Sequence, residues 1–275
     1  MALKLMYITN RPEIAQIAET AGVDRIFIDL EYIGKADRQG GMDTVQSRHT
    51  LDDVKRISEA ITTAELLVRV NPIHDATEAY ASSEEEIGTA IDNGADIVML
   101  PFFKTVDEVK RFISAVKGRA KTMLLLETPE AVEIVDDLLC LEGIDSIHIG
   151  LNDLSLGYGM KFMFELLTDG TVERLCTKFR EKNIPYGFGG IASLGKGTIP
   201  AEMIIKEHYR LGSTCAILSR SFCNVDKITH MGVISSTFVN GIREIREFEA
   251  ECAKHIGYFI NNKLELENAV KTIIR

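Results

Sequence analysis

The sequence is short of positive charge. Its 275 residues include 31 lysines and arginines against 41 aspartates and glutamates, which gives a formal net charge of −10 at pH 7 and a pI near 5.2. Nucleic-acid binding draws most of its affinity from basic side chains that cluster on phosphates, so this balance argues against a polyanionic partner. We expect no nucleic-acid partner.

Cysteines are few and lack the spacing of a metal site. There is no CxxC motif, and the odd number of cysteines in a long chain favours a reducing compartment over a disulfide framework. The five cysteines are Cys140, Cys176, Cys215, Cys223 and Cys252. The N-terminal apolar run is too short for a signal peptide, and no later stretch approaches the length of a membrane span. We therefore expect a cytoplasmic enzyme or binding protein with no membrane partner.

The glycine-rich fingerprint of dinucleotide-binding folds is also missing, since the segment YITNRPE (7–13) after the first apolar run has no glycine. What the chain does have is a repeated alternation of β-like runs and helical patterns. Predicted strands lie at 3–9, 25–32, 65–71, 96–102, 121–127, 146–152, 186–191 and 214–219. Predicted helices lie at 12–21, 51–61, 84–93, 106–116, 129–141, 163–181 and 200–212.

This alternation predicts an α/β fold, a single (β/α)8 TIM barrel with an extended C-terminal helical arm. Strands separated by helical crossovers pair in parallel, and eight such units are what closing a barrel requires. An open doubly wound sheet is the alternative. We predict a barrel domain over residues 1–234, followed by C-terminal helices over 235–275 that pack on a neighbouring subunit of a homo-oligomer. An interruption of these helices is expected at the GYF segment near residue 257.

Two successive strands are each followed by an acidic residue. Glu127 ends the fifth predicted strand and Asp153 follows the sixth, and in a barrel such positions meet at the catalytic face. Two carboxylates that close repel each other unless a proton or a cation lies between them. Because Mg²⁺ is characteristically held by one or two carboxylates, the pair predicts a site for Mg²⁺ or Mn²⁺. Taken alone, each acid could equally be a helix N-terminal residue.

A third charged residue, Arg69, lies within the apolar strand LLVRVNP (66–72). A guanidinium in a barrel strand needs an anionic partner, because burying it unpaired is costly. It is either paired with a structural carboxylate or points to the barrel mouth to meet a ligand oxyanion. Beside a metal, the second role would let Arg69 hold a developing enolate oxygen.

Several segments resemble the successive motifs of the HpcH/HpaI aldolase and citrate lyase β-subunit family, over residues 20 to 160. The segments are FIDLEY (27–32), VRVN (68–71), AIDNGADIVMLPFF (90–103), LLLETPE (124–130) and EGIDSIHIGLNDLSLGYG (142–159). The last is the most specific. The resemblance implies a metal-dependent (β/α)8 barrel that cleaves or forms carbon–carbon bonds through a pyruvate or acyl-CoA enolate, and that exchanges C-terminal helices between subunits.

By this resemblance, Glu127 and Asp153 match the family's metal ligands, and Arg69 matches the arginine that contacts the keto oxygen of the substrate. The resemblance therefore implies Mg²⁺, Mn²⁺ or another divalent metal as the cofactor.

The resemblance also implies substrate contacts. Gly150, Leu151 and Asn152, together with Asp153, match the turn whose backbone amides bind the pyruvate carboxylate. Asp92 matches an aspartate that reaches into a neighbouring subunit's site in the aldolase branch, although an ordinary acid at a helix C-terminus is an equal alternative.

The segment FIDLEY departs from the aldolase pattern. The aldolases end their second strand in Glu-His, with the histidine as base, whereas this chain has Tyr32, a poorer base at neutral pH. His49, on the loop after this strand, is a candidate replacement, and a solvated loop histidine is the alternative. Asp29 and Glu31 are expected on one side of the strand, either near the metal or in an ion pair with an arginine.

Other candidate features lie further along the chain. His148, inside a predicted strand, is expected to be a packing histidine. The glycine-rich segment GFGGIASLGKGTIP (187–200) with Lys196, together with residues 219–221, predicts an anion site for a phosphorylated or acidic part of the substrate. The segment lacks the spacing of a P-loop, and glycines that serve only tight turns at the barrel rim are the alternative.

The sequence thus predicts a metal-dependent class II aldolase. Such a lyase would cleave or form a 4-hydroxy-2-oxo or 2-keto-3-deoxy acid by way of a pyruvate enolate and an aldehyde. One alternative is an acyl-CoA lyase of the citrate lyase β-subunit or malyl-CoA lyase type, which the missing Glu-His favours. The other is a catalytically silent barrel with a binding or assembly role.

Overall fold

The computed structural model describes residues 2–34 and 48–275. Within these ranges, eight parallel strands form a closed barrel in chain order, with the first strand paired to the last. The strands are β1 (Lys4–Ile8), β2 (Arg25–Asp29), β3 (Glu65–Arg69), β4 (Ile97–Leu100), β5 (Lys121–Leu126), β6 (Ser146–Ile149), β7 (Tyr186–Ile191) and β8 (Cys215–Leu218). The predicted (β/α)8 barrel is confirmed, and the open doubly wound sheet is wrong.

Helices cover the outside of the barrel. They are α1 (Pro12–Thr20), α2 (Leu51–Ser58), α3 (Ser83–Asp92), α4 (Val106–Val116), α5 (Pro129–Glu133), α6 (Val135–Leu138), α7 (Leu151–Gly157), α8 (Glu165–Thr168), α9 (Thr171–Glu181), α10 (Ala201–Leu211), α11 (Met231–Lys254) and α12 (Phe259–Ile274). None of the helices in the described residues is long and apolar enough to cross a membrane. The polar loop between β2 and α2 lies largely outside the described residues.

Side-chain caps mark where several of these helices begin. Thr50 and Asp53 form a capping box at α2, and Thr105 and Glu108 form another at α4. Thr128 accepts a hydrogen bond from the amide of Ala131 at the start of α5. Because these caps satisfy backbone amides that have no partner within the helix, they fix where each helix leaves the barrel mouth.

Strand side chains alternate between two cores. One side of each strand packs against the helices in the larger core. The other side fills the barrel interior, where the buried residues are Met6, Phe27, Leu67, Ile97, Met99, Met123, Leu125 and Cys215. The inward rows of β2 and β3 end in Asp29 and Arg69, which lie opposite each other in the strand pairing. Because side chains alternate along a strand, these two charged residues point inward and lie above the apolar barrel interior, at the C-terminal ends of the strands.

Three predicted elements end or break earlier than expected. The predicted strand over 146–152 ends at Ile149, because the carbonyl of Gly150 accepts from the Leu154 amide and starts α7. The predicted helix over 129–141 is interrupted at Ile134. The predicted helix over 163–181 is split before Gly170, whose φ of 86° is left-handed. A left-handed residue cannot continue a right-handed helix.

The C-terminal region packs on its own barrel. Helix α11 runs unbroken across the predicted domain boundary between residues 234 and 235, and it packs against α1 and α10. The boundary therefore falls inside a helix of the barrel layer. A 3₁₀ turn at Ile256–Tyr258 confirms the predicted interruption, and α12 then packs on α8 and α10. The packing of this region on a neighbouring subunit stays a prediction.

Candidate active site

A cavity of about 220 Å³ opens at the C-terminal ends of the strands, and we call it the inner cavity. The residues predicted to bind the metal, the keto oxygen and the substrate carboxylate all line it, namely Arg69, Glu127, Gly150, Leu151, Asn152 and Asp153. They come from β3, the ends of β5 and β6, and the first turn of α7. The barrel thus gathers at one point residues that are widely separated in the sequence, at the face where barrels carry their active sites.

Glu127 is held in a tight space. Its side chain is 4% exposed, and Oε1 accepts a hydrogen bond of 3.0 Å from the amide of Phe102. Phe102 adopts a left-handed φ of 49°, which is uncommon for a residue other than glycine. On the other side, a Cβ at Gly150 would lie 2.7 Å from Oε2 of Glu127. Glycine at position 150 therefore leaves the room in which this carboxylate sits.

Asp153 is the second carboxylate of the inner cavity. It lies in the first turn of α7 with 8% of its surface exposed, and Oδ1 accepts from the side-chain amide of Asn152 at 3.0 Å. An acid at this end of a helix also interacts favourably with the helix dipole. Both readings of Asp153, as a first-turn acid and as a metal ligand, are compatible with this position.

The two acids suit a hard divalent cation. Glu127 and Asp153 are buried, line the same cavity and offer only oxygen donors, which is the donor set that Mg²⁺ and Mn²⁺ prefer. Across the described residues there is no group of three or more His, Cys, Asp or Glu side chains arranged to hold a metal. A metal here would thus depend on two carboxylates, with water or substrate oxygens completing its coordination, as Mg²⁺ sites commonly do.

Arg69 is pinned by two acids of β2. Its Nε and Nη2 donate to the two carboxylate oxygens of Asp29 at 2.8 Å each, and its Nη1 lies 3.3 Å from Glu31. Burial favours the neutral form of Arg69, but the charges of Asp29 and Glu31 outweigh it and hold the pKa above its usual value. Arg69 is therefore ion-paired with structural carboxylates and also lies at the barrel mouth. The two alternatives drawn from the sequence, a structural ion pair and a position facing a ligand, do not exclude each other.

The side chain of Asn71, supported by Glu86, holds the turn that carries Glu31. Asn71 accepts from the backbone amides of Tyr32 and Ile33 at 3.0 Å each, and its own side-chain amide donates to Glu86 at 2.7 Å. Burial raises the pKa of Glu86, which the bonds from Asn71 oppose. This chain of contacts fixes the end of β2 beside the inner cavity.

His49 lies close to the same strand. Its Nδ1 accepts a hydrogen bond of 3.0 Å from the amide of Asp29. The Nδ1 lone pair is thus in use, and a neutral ring with this tautomer carries its proton on Nε2. In this arrangement His49 is equipped to donate a hydrogen bond rather than to take up a proton.

Tyr32 points away from the inner cavity. It is 50% exposed, packs against Tyr80 with 5.3 Å between ring centroids, and lines a separate cavity of about 330 Å³. Burial, the charge of Glu86 and the neighbouring Tyr80 raise its pKa. Both its direction and its pKa make Tyr32 a weak candidate for the base.

Asp92 lies at the other end of the barrel. It ends α3, a few residues before β4 begins, and its carboxylate pairs with Arg119 at 2.9 Å. Helices of the barrel run antiparallel to the strands, so this position is remote from the inner cavity of the same chain. A role for Asp92 in a neighbouring subunit stays a prediction.

A larger space of about 620 Å³ adjoins the inner cavity, and we call it the basic chamber. Arginines 11, 48 and 220 line it, together with His49 and Asn224. Arg220 was anticipated as part of an anion site. Among the described residues, Lys196 does not line this chamber. Sequence reasoning missed Arg11 and Arg48, although Arg11 lies in the short loop between β1 and α1, at the face where the strands end.

His148 forms part of the floor of the inner cavity. It is buried, its Nε2 donates to the carbonyl of Gly189 at 3.1 Å, and its Nδ1 lies 3.9 Å from Sγ of Cys215. Burial lowers its pKa to about 4. His148 is therefore a neutral packing residue around neutral pH, as the sequence predicted.

Comparisons with known proteins agree with this architecture. The family model described as HpcH/HpaI aldolase/citrate lyase matches residues 4–168. A curated relative, the 4-hydroxy-4-methyl-2-oxoglutarate aldolase of Chaetomium globosum, is 22% identical over 213 residues, which are 66% of this chain and 72% of that protein.

Two solved structures share the fold. The HpcH/HpaI aldolase from Desulfitobacterium hafniense DCB-2 has a TM-score of 0.61 and 15% identity, covering 90% of this chain and 93% of that one. An HpcH/HpaI aldolase/citrate lyase family protein from Burkholderia cenocepacia J2315 has a TM-score of 0.61 and 14% identity, covering 89% and 95%.

Proposed function

The chain belongs to the HpcH/HpaI aldolase/citrate lyase family, and we propose that it is a divalent-metal-dependent lyase acting through a pyruvate enolate and an aldehyde. In one direction it would cleave a 4-hydroxy-2-oxo or 2-keto-3-deoxy acid, and in the other it would form one. The observation that carries the proposal is that Glu127, Asp153 and Arg69 line one small cavity at the barrel mouth.

Glu127 and Asp153 would hold the metal. Both line one small cavity and offer the oxygen ligands that Mg²⁺ and Mn²⁺ prefer, so the donor set favours an ion there. When bound, Mg²⁺ or Mn²⁺ would polarise the keto group of the substrate as a Lewis acid and favour its enolate.

Arg69 would donate hydrogen bonds to the oxygen that becomes the enolate. A guanidinium has five N–H groups, and its hydrogen bonds to Asp29 use two of them, while Nη1 also lies 3.3 Å from Glu31 in an ion pair. The remaining donors can serve a ligand oxygen. Because the two acids fix the guanidinium plane before substrate arrives, little reorganisation is needed as charge develops.

The first turn of α7 would bind the substrate carboxylate. Gly150, Leu151, Asn152 and Asp153 line the inner cavity, and in the described residues no side chain caps the start of this helix. Backbone amides at a helix start favour an anion, so this turn is suited to a carboxylate. Chelation of a keto acid by metal, amides and Arg69 would then orient the methyl group for proton loss.

His49 would serve the aldehyde partner. With Nδ1 occupied by the Asp29 amide, a neutral His49 ring would donate a hydrogen bond from Nε2 to the oxygen of an aldehyde in the basic chamber. When the enolate carbon attacks the aldehyde carbon, that oxygen gains negative charge, which the hydrogen bond would stabilise until the oxygen takes up a proton from solvent. We assign no proton-transfer role to Tyr32.

The first test is exchange of deuterium into the methyl group of pyruvate, followed by proton NMR in D₂O with Mg²⁺ or Mn²⁺. Exchange should occur with metal and stop with a chelator. The variants Glu127→Gln and Asp153→Asn should lose on the order of 10²–10³-fold in exchange rate. Glu133→Gln, which changes an acid beside the same pair, is the matched control and should keep the wild-type rate.

The same variants give a second readout that does not need turnover. Metal bound only by the folded protein stabilises it by about 2.7 kcal/mol at a hundredfold excess over its dissociation constant. Thermal unfolding should therefore shift upward with Mn²⁺ in the wild type and not in Glu127→Gln. Exchange into the methyl group of acetyl-CoA but not of pyruvate would instead support the acyl-CoA lyase. Exchange into neither would support a silent barrel.

A further inference from the structure

We propose that Asn71 and Glu86 are positioning residues of the lyase reaction, which act on the substrate only through Arg69. They hold the turn after β2, and that turn carries Glu31, one of the two acids that pair with the guanidinium. The inference rests on the proposed function, because it explains what keeps Arg69 in one orientation toward the keto oxygen. The described residues that line the inner cavity and the basic chamber include neither Asn71 nor Glu86.

The sequence places Asn71 just beyond β3. It comes two residues after Arg69, so the alternation along an extended chain turns both side chains to the same side. Pairing with β4 continues past the end of the strand, because the amide of Val70 donates to the carbonyl of Met99 at 3.2 Å. Pro72 disfavours a helical backbone at the residue before it. Asn71 therefore lies next to the end of β2, and only 1% of it is exposed.

The amide group of Asn71 joins helix α3 to the turn. Its Oδ1 accepts from the backbone amides of Tyr32 and Ile33 at 3.0 Å each, and its Nδ2 donates to Oε1 of Glu86 at 2.7 Å. The backbone amide of Asn71 also donates to Oε2 of Glu86, at 3.2 Å. These partners fix how the amide group is turned, because the flipped group would set its oxygen against a carboxylate and its NH₂ against two amide donors.

The turn held by Asn71 contacts Arg69 in several ways. The amide of Leu30 donates to the carbonyl of Arg69 at 2.9 Å, and Nη1 of Arg69 lies 3.3 Å from Glu31. Asp29, where the turn begins, accepts from Nε and Nη2 at 2.8 Å each. The amide of Glu31 in turn donates to Oδ1 of Asp29 at 3.2 Å. A shift of the turn would therefore move Glu31 and change the direction in which Nη1 points.

The orientation of Arg69 matters most when the keto group becomes an enolate. Donors that are oriented in advance stabilise the developing charge without reorganisation, so they favour the transition state over the bound substrate. A displacement of about 1 Å can cost on the order of 10²-fold in rate. Loss of the contact between Asn71 and Glu86 should therefore lower kcat rather than raise KM.

A second buried pair of the same kind provides a matched control. Nδ2 of Asn262 on α12 donates to Oε1 of Glu207 on α10 at 2.8 Å, and these residues are 1% and 0% exposed. They too are absent from the described lining of the inner cavity and of the basic chamber. Asn262→Ala therefore breaks a buried Asn–Glu hydrogen bond without touching the turn after β2. It separates positioning from a general loss of stability.

The test measures kcat and KM for deuterium exchange into pyruvate with Mn²⁺. Asn71→Ala should lower kcat by about 10–100-fold and change KM by less than about threefold. Glu86→Gln keeps the volume and one acceptor, so it should fold and lower kcat by about 3–10-fold, the range of one hydrogen bond. Asn262→Ala should keep kcat within about twofold of wild type. Thermal unfolding should still shift upward with Mn²⁺ in all three variants, because the two metal-binding carboxylates are unchanged.

An exchange of donor and acceptor gives a rescue. Asn71→Asp keeps an acceptor for the two turn amides but sets a carboxylate against Glu86, so it should lose at least about tenfold in kcat. In Asn71→Asp/Glu86→Gln, the glutamine NH₂ can donate to the new carboxylate while its oxygen accepts from the backbone amide of residue 71. The double variant should therefore recover to within about fivefold of the wild-type kcat.

The results separate the two proposals. A kcat within about twofold of wild type in Glu86→Gln and in any folded Asn71→Ala would overturn the inference. So would an equal loss of kcat in Asn262→Ala, or a double variant no faster than Asn71→Asp. Each of these results leaves exchange in the wild type, and with it the proposed function, in place. A wild type without metal-dependent exchange overturns the proposed function, and the inference falls with it.

Discussion

A Cβ atom at position 150 would lie 2.7 Å from both Cβ and Oε2 of Glu127, closer than real Cβ contacts allow. The φ of −82° at position 150 itself suits alanine. Gly150→Ala should nevertheless displace the Glu127 carboxylate and, because Cβ of Glu127 is fixed to its own backbone, shift the end of β5 as well. We expect a loss of about 1–3 kcal/mol in the free energy of unfolding. Exchange into pyruvate should fall on the order of 10²-fold, the effect of a displacement near 1 Å. Urea denaturation and the NMR assay measure the two effects.

Gly88→Ala is the control for this prediction. Its Cβ would meet only the end of the Arg119 side chain, at 3.6 Å, and alanine in the middle of α3 should stabilise the helix by about 0.5–1 kcal/mol. An unchanged exchange rate in Gly150→Ala would show that the position of Glu127 is not limiting.

The position of a single site residue could be predicted from the sequence where it depends only on where a strand ends. Glu127, Arg69 and the start of α7 could be read from apolar runs that end in a charged residue. The strand alternation also put Asp29 and Glu31 inward, which turns Tyr32 outward. The sequence of β3 alone could not show which partner Arg69 takes, because the acids that pair with it lie on and just after the neighbouring strand β2.

At the scale of elements, α12 has two faces with different expected partners. Leu266 is 1% exposed against the barrel, whereas Leu264, on the same helix, is 55% exposed beside the exposed Ile260 and Ile256. Leu266→Ala should lower the free energy of unfolding by about 2–5 kcal/mol. Leu264→Ala should change it by less than about 0.5 kcal/mol in the isolated chain but weaken self-association.

Urea denaturation at low protein concentration and sedimentation equilibrium separate these outcomes. If Leu264→Ala leaves self-association as it is in the wild type, the predicted role of the C-terminal helices between subunits is wrong. The pair of leucines is matched in size and in helix, so propensity does not enter the comparison.

The pattern of the sequence predicted which elements exist better than where they end. Helical periodicity continues through Ile134 and through Asp169, yet both helices are broken there. The strand before Gly150 looked longer because Leu151 continues the apolar run, although its backbone is helical. Such ends are decided by caps and by left-handed residues such as Gly170, which hydrophobic periodicity does not register.

For the whole molecule, two buried histidines should lower the free energy of unfolding at acid pH. Burial lowers the pKa of His148 to about 4 and that of His208 to about 3, both below the ordinary value near 6.5. Below about pH 6.5, these histidines therefore bind more protons in the unfolded chain than in the folded chain. Stability should be complete above pH 6.5 and decline toward pH 4, by about 1.4 kcal/mol per histidine for each pH unit.

The urea midpoint measured at intervals between pH 7 and 4.5 checks this slope. His208→Gln should make the decline shallower, whatever its own effect on stability at pH 7, whereas His255→Gln, at an exposed position, should leave the slope as it is. A slope that does not change in His208→Gln would contradict the linkage.

The whole fold was the most predictable level, because eight repeats of strand and helix leave few ways to bury every apolar face. The basic chamber was the least predictable. Its arginines come from the segment after β1, the segment before α2 and the segment after β8, and only closure of the ring makes them neighbours.

That closure has a kinetic consequence. The first and last strands meet side by side, and the chamber is built from residues on both, such as Tyr7 and Ile217. Contacts between residues this distant in sequence form late in folding, because the entropy cost of ordering the chain between them comes before the contacts stabilise the fold. During synthesis or refolding, the chamber is therefore complete only when the final strand docks.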